Sequence, residues 1–157
     1  MADFSKAIEK VLVNEGGYIN DPNDKGGETK FGISKRAYPH IDIKNLTTDE
    51  AKAIYKKDYW DKIKGDEMQS DAIAYEIFDT AVNMGVRTAS KLAQLIVKSH
   101  PDGIIGNKTL QKINNIDEEL FVTSFKLAKV ARYIYLVEKN PSNRKFLFGW
   151  IKRALGA

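Results

Sequence analysis

Apolar residues recur at helical spacing along most of the chain, and most of these runs are bounded by residues that start or stop helices. Phe4, Ala7, Ile8, Val11 and Leu12 fall at i, i+3, i+4, i+7 and i+8. Asp3 can cap their first turn, and Gly16 suits the left-handed position just past a helix end. Thr47-Thr48-Asp49-Glu50 reads as a capping box opening a helix through Ile54, Tyr55, Tyr59 and Trp60 to about Ile63. Ser70 opens the most apolar stretch, with Ile73, Ala74, Ile77, Phe78, Ala81 and Val82 on one broad face that stops before Gly85. Asp79 and Asn83, four apart, share a side of it. Thr88 or Ser90 opens the next helix, through Leu92, Leu95 and Ile96, and Asn107 caps a short turn through Leu110 and Ile113. Asp117 caps the longest helix, roughly 118–139, whose Leu120, Phe121, Ser124, Leu127, Ala128, Ala131 and Ile134 are expected to face inward. Pro141 ends it, and residues 146–155 form an aromatic tail helix anchored by Trp150. The expected fold is mainly α: six or seven helices in a single domain, with at most one small β-hairpin after the first helix.

One stretch breaks the periodicity. Between Asn14 and Ser34 the chain spends most of its length on two glycine pairs, a proline and a cluster of Asp, Asn and Thr. Two short apolar pieces, Tyr18-Ile19 and Phe31-Gly32-Ile33, flank Asp21-Pro22-Asn23-Asp24-Lys25-Gly26-Gly27, which predicts an irregular hairpin. Ser34 then caps a short helix that stops before Pro39. Glu15 stands at the entrance, on the edge of the first apolar stripe and at the negative end of its helix dipole. Both surroundings disfavour the ionised carboxylate, the direction a general acid needs.

Composition narrows the chemistry. The 157 residues contain no cysteine, so disulfides, thiolate metal sites and cysteine nucleophiles are excluded. His40 and His100 lie far apart and no HExxH-type spacing exists, which weighs against zinc amidases and peptidases. The Asp21–Gly26 run begins like a calcium loop, but Lys25 stands at its fifth position and Gly32 where a bidentate Glu belongs, so no metal and no cofactor are expected. A net charge of +4 favours anionic partners such as wall polymer, nucleic acid or anionic lipid. The basic residues are spread along the chain, which argues against nucleic acid. The first residues lack the apolar core of a signal peptide, and no apolar run is long enough to span a membrane. The expectation is a protein made in the cytoplasm, with no integral membrane segment.

Glycosidic cleavage needs one protonated carboxyl to release the leaving oxygen and a second group to activate water or stabilise the developing cation. Glu15 suits the first role, and Asp21, Asp24 and Glu28 are available for the second. Tyr18 and Tyr59 are candidate sugar platforms, and Asp79 and Asn83 candidates for the opposite wall of a cleft.

Glu15-Gly16-Gly17-Tyr18, Asp21-Pro22, Asp24, Gly26-Gly27, Thr29 and Gly32-Ile33 resemble the N-terminal signature of glycoside hydrolase family 108, N-acetylmuramidases of the lysozyme superfamily found in phage endolysins and bacterial toxin-export loci. The likeness continues through Leu46-Thr47-Thr48, Tyr59-Trp60, Phe78-Asp79 and Ala81-Val82-Asn83-Met84-Gly85. Asp102 to Gly106, Thr109-Leu110, Arg132-Tyr133 and Gly149-Trp150 resemble the family's predicted peptidoglycan-binding segment. The resemblance implies a single lysozyme-like domain over 1–157, with a catalytic segment 1–85 and a helical segment 86–157. It implies Glu15 as catalytic acid. Phage-type lysozymes place an Asp nine residues after that Glu and a Thr shortly beyond, which points to Asp24 and Thr29 as the groups that hold water, with Asp21 in reserve. The implied partner is bacterial peptidoglycan, cut by a monomer that reaches the wall through a holin or another export route. A non-catalytic wall-binding or secretion-assisting protein, and a lytic transglycosylase, remain alternatives at this point.

Overall fold

The first helix, α1 (Phe4–Glu15), starts where Asp3 accepts a bond from the Ser5 amide at 2.9 Å and stops at Gly16, whose φ is +74°. Ala7, Ile8 and Val11 are its buried positions. In the computed structural model, residues 1–20 and 27–156 are described. Asp21 and Asp24, and the loop weighed for calcium, lie outside them.

Ile19 pairs with Thr29, and Thr29–Lys30 (β1) pairs antiparallel with Ile33–Ser34 (β2). Phe31 and Gly32 form the two-residue turn, with φ of 52° and 76°. Two positive φ values in a row match the twist of a tight hairpin, and the first normally falls to Asn or Asp. Phenylalanine there is strained, and the Tyr55 hydroxyl donating to the Phe31 carbonyl at 2.7 Å helps to hold it.

Several sequence expectations change after this point. Ser34 caps a turn instead of a helix, its hydroxyl accepting from the Ala37 amide at 3.2 Å. The fourth helix, α4 (Val86–Ile96), begins directly after Gly85, so Ser90 lies buried inside it while Leu95 is exposed. The fifth, α5 (Asn107–Asn115), takes Gly106 as its cap, and Asn107 instead accepts a bond from Lys64.

The capping box of α2 (Thr48–Tyr55) forms, and the helix widens into a π-type turn over Lys56–Trp60. A short tight turn at Gly65–Glu67 leads to α3 (Asp71–Met84), capped by Ser70. The long α6 (Glu118–Lys139) starts at Asp117 as expected. Its inward face is corrected: Phe121, Phe125, Lys129 and Tyr133 are buried, whereas Leu120, Leu127 and Ile134 are exposed. The helix carries more apolar positions than α3, α4 and the tail can cover, and the aromatic stripe, with more area to bury, takes the inside. Lys129 enters that stripe because Glu76 of α3 meets it at 2.8 Å.

A tight turn over Pro141–Phe146 reverses the chain into α7 (Leu147–Leu155), which packs back along α6. Trp150 stacks on Tyr133 at 5.1 Å and on Phe146 at 5.8 Å. One continuous cluster of buried apolar side chains runs from Ala2 and Ile8 through Trp60 and Phe78 to Phe121 and Phe125. Among the described residues no helix is long and apolar enough to cross a membrane.

Candidate active site

Glu15 is the last residue of α1, and three elements converge on its carboxyl. On one side is the hairpin turn. A β-carbon on Gly32 would stand 2.6 Å from Glu15 Oε2 and 2.6 Å from the Tyr55 hydroxyl. Gly32 is thus needed for both its φ and its missing side chain. Tyr55 itself is buried, and burial, followed by the nearby Glu15 charge, raises its phenol well above the usual range. It stays protonated and remains a donor.

On the other side is α7. Arg153 extends one guanidinium nitrogen to Glu15 Oε1 at 3.2 Å and to Asp79 Oδ1 of α3 at 3.3 Å. The Glu15 and Asp79 side chains are 20 % and 10 % exposed, so both pairs are largely screened from water. Burial opposes the charge on Arg153, but Asp79 and Glu15 outweigh it and its affinity for the proton rises. The influences read from sequence around Glu15 are joined here by a cation 138 residues away in the chain. Beside it lies a cavity of about 630 Å³ lined by Asn14, Tyr75, Asp79, Gly149, Lys152 and Arg153.

The other candidates divide. Asp79 joins Glu15 through Arg153. Asn83 instead donates to the Tyr133 hydroxyl and braces α3 against α6. The Tyr18 ring is 40 % exposed at the hairpin, its hydroxyl donating to Glu28 at 2.9 Å. Tyr59 is half-buried and packs on Tyr55 at 5.4 Å, while Trp60 is fully buried with its indole N–H on Asp66. Thr29 makes its bonds within the hairpin, the hydroxyl reaching the Gly27 carbonyl at 3.5 Å. Asp102 organises its own turn, accepting from Gln94 at 2.7 Å and from the Ile104 amide at 2.9 Å. Among the described residues no cluster of three or more His, Asp or Glu is placed to hold a metal.

Arg153 and Tyr55 were missed as site residues. Tyr55 sits in an apolar run and reads as core. Arg153 left a faint signal: it lies three residues after Trp150, on the side of α7 that turns inward.

A largely buried carboxyl at the end of the first helix, packed against a small hairpin on a helical body, is the arrangement of a lysozyme-like glycoside hydrolase. The comparisons with known proteins agree. Residues 8–85 match the family model described as Glycosyl hydrolase 108, and residues 81–155 match the one described as Predicted Peptidoglycan domain. A solved structure, described as that of Brucella abortus SagA, is similar at 29 % identity and a TM-score of 0.73, with 98 % of this chain and 94 % of that chain covered. No curated protein matches. The chain belongs to the glycosyl hydrolase 108 family and is a hydrolase that acts on peptidoglycan.

Proposed function

We propose that the protein is an N-acetylmuramidase, hydrolysing the β-1,4 bond between N-acetylmuramic acid and N-acetylglucosamine with Glu15 as general acid. The observation that carries this is the double clamp on one carboxyl: Oε1 on Arg153 and Oε2 against the Gly32 turn. A protonated carboxyl keeps its carbonyl oxygen for the guanidinium, so the same contact orients the acid while Oε2 carries the proton toward the hairpin side. Asp79 shares the same guanidinium nitrogen, which keeps the cation from collapsing fully onto Glu15. Proton donation leaves Glu15 negatively charged beside Arg153, and the guanidinium stabilises that charge as it develops in the transition state.

Asp24 and Thr29 are proposed to position the attacking water, and Tyr18 to contact a sugar ring from the hairpin. No cofactor enters. The protein is proposed to act as a monomer on the cell wall, released by a holin-type or other export route.

Mass spectrometry of sacculi digested by the purified protein tests the reading. New reducing ends on muramic acid are expected. Reducing ends on glucosamine would move the cut to the other bond, anhydro-muramic ends would make the enzyme a lytic transglycosylase, and binding without release would leave a wall-binding protein.

A further inference from the structure

The positive charge of the chain is not spread as evenly as its lysines. Residues 1–138 hold twenty Lys and Arg against all twenty-one Asp and Glu; residues 139–157 hold Lys139, Arg144, Lys145, Lys152 and Arg153 and no acid at all. The whole excess of +4 therefore belongs to the tail. Arg153 is turned inward and consumed by Glu15 and Asp79. The other four form no ion pair among the described residues.

These four cations are interleaved with exposed apolar side chains. Phe148, Lys152 and Leu155 fall at i, i+4 and i+7 along α7, with Phe148 77 % and Leu155 48 % exposed, and Lys152 also borders the cavity beside Arg153. Lys152 lies over the Phe148 ring at 5.7 Å, and Lys145 over the exposed Phe146 ring at 5.0 Å. Lys139 repeats the pairing on the exposed Tyr135 at the adjoining end of α6. Water exposure of a phenyl ring at this level is unfavourable unless something covers it.

We propose that this face docks on the anionic headgroup layer of a lipid bilayer. The chemistry matches on both counts. Rings and Leu155 would sit at the boundary between headgroups and acyl chains, and the lysines at the phosphates. A soluble polyanion would use the cations but leave the rings in water, and peptidoglycan would offer the cations its stem-peptide carboxylates but no apolar layer for the rings. Each cation near an anionic surface strengthens binding about fivefold, so the contact is reversible and depends on salt. Because Arg153 ties the inner side of the same helix to Glu15 and Asp79, docking would hold the active site close to the membrane, at the wall layer next to it. The inference does not depend on which glycosidic bond is cut.

Co-sedimentation of the full-length protein tests it, with vesicles of phosphatidylglycerol in phosphatidylethanolamine and vesicles of phosphatidylcholine alone. Binding to the first and not the second is expected. Lys145→Glu should weaken it by roughly tenfold or more, and Phe148→Ser severalfold, with circular dichroism and sacculus digestion unchanged in both variants. No binding to the anionic vesicles would overturn the proposal. So would binding that neither substitution alters. Retention on heparin that needs Lys145 but not Phe148, with vesicle binding equally blind to Phe148, would make the face a plain polyanion site instead.

Discussion

The two sides of the Glu15 carboxyl are built by opposite means. The hairpin side is local: Glu15, Phe31 and Gly32 lie within one short stretch, and a turn with two positive φ values brings Gly32 against Oε2. The α7 side is remote: a single arginine reaches Oε1 only because the chain has folded back along α6. The two matched family regions meet at residues 81–85, near the end of α3, and Asp79 of that helix holds the arginine delivered by the second region to the carboxylate of the first. A local motif supplies the acid; the long-range contact sets the charge around it.

Substitutions can separate those contributions. The largest effect is expected from Glu15→Gln, which should lower turnover on sacculi by about a hundredfold to ten-thousandfold with the thermal unfolding midpoint little changed. Near wild-type turnover would remove Glu15 from the reaction altogether.

Arg153→Ala asks whether the remote side matters. It leaves the buried Asp79 carboxylate and the largely buried Glu15 carboxylate without their shared cation, so a loss of about 2 kcal/mol in stability and at least tenfold in kcat is expected, less than a fully buried pair would cost because the guanidinium is part-exposed. Arg153→Lys should recover part of both. Full activity in Arg153→Ala, measured alongside chemical denaturation, would reduce the site to its hairpin side.

Gly32→Ala probes the local side. The new methyl would stand 2.6 Å from Glu15 Oε2 at a φ of 76°, so a cost of about 1–3 kcal/mol is expected, with activity falling as the carboxyl is displaced. If activity fell no further than stability predicts, the close packing of the turn would not be what aims the acid.

The smallest effect is in pH dependence, and each region carries one example. Hydrogen bonds from Lys56 and Trp60 hold Asp66 below the ordinary carboxylate range, and bonds from Gln94 and the Ile104 amide do the same for Asp102. A folded value below the unfolded one means stability present above about pH 4 and lost as pH falls through the folded value. The unfolding midpoint should drop below that pH, and Asp66→Asn or Asp102→Asn should each flatten the drop slightly. An unchanged acid limb in both would show that neither carboxylate contributes.

Element by element, what could be read in advance was whatever depends on near neighbours in sequence. Asp3, Thr47, Ser70 and Asp117 marked helix starts correctly, because a cap is a contact within a few residues. Ser34 and Asn107 misled, since the same side chains also serve turns and distant lysines. The face of α6 was misjudged because both Leu120-Leu127-Ile134 and Phe121-Phe125-Tyr133 satisfy a helical period, and only the neighbouring helices choose between them.

The sequence by itself determined the helical character, the break after Glu15, the absence of thiol chemistry and the resemblance that named a peptidoglycan hydrolase. All of these follow from residue type and short spacing. Tertiary structure alone decided that Tyr55 and Gly32 confine one oxygen of Glu15 and that Arg153, shared with Asp79, holds the other. Periodicity reports which residues are buried, but not which of them meet. A carboxylate's partner is chosen by packing, and the packing here brings the last helix onto the end of the first.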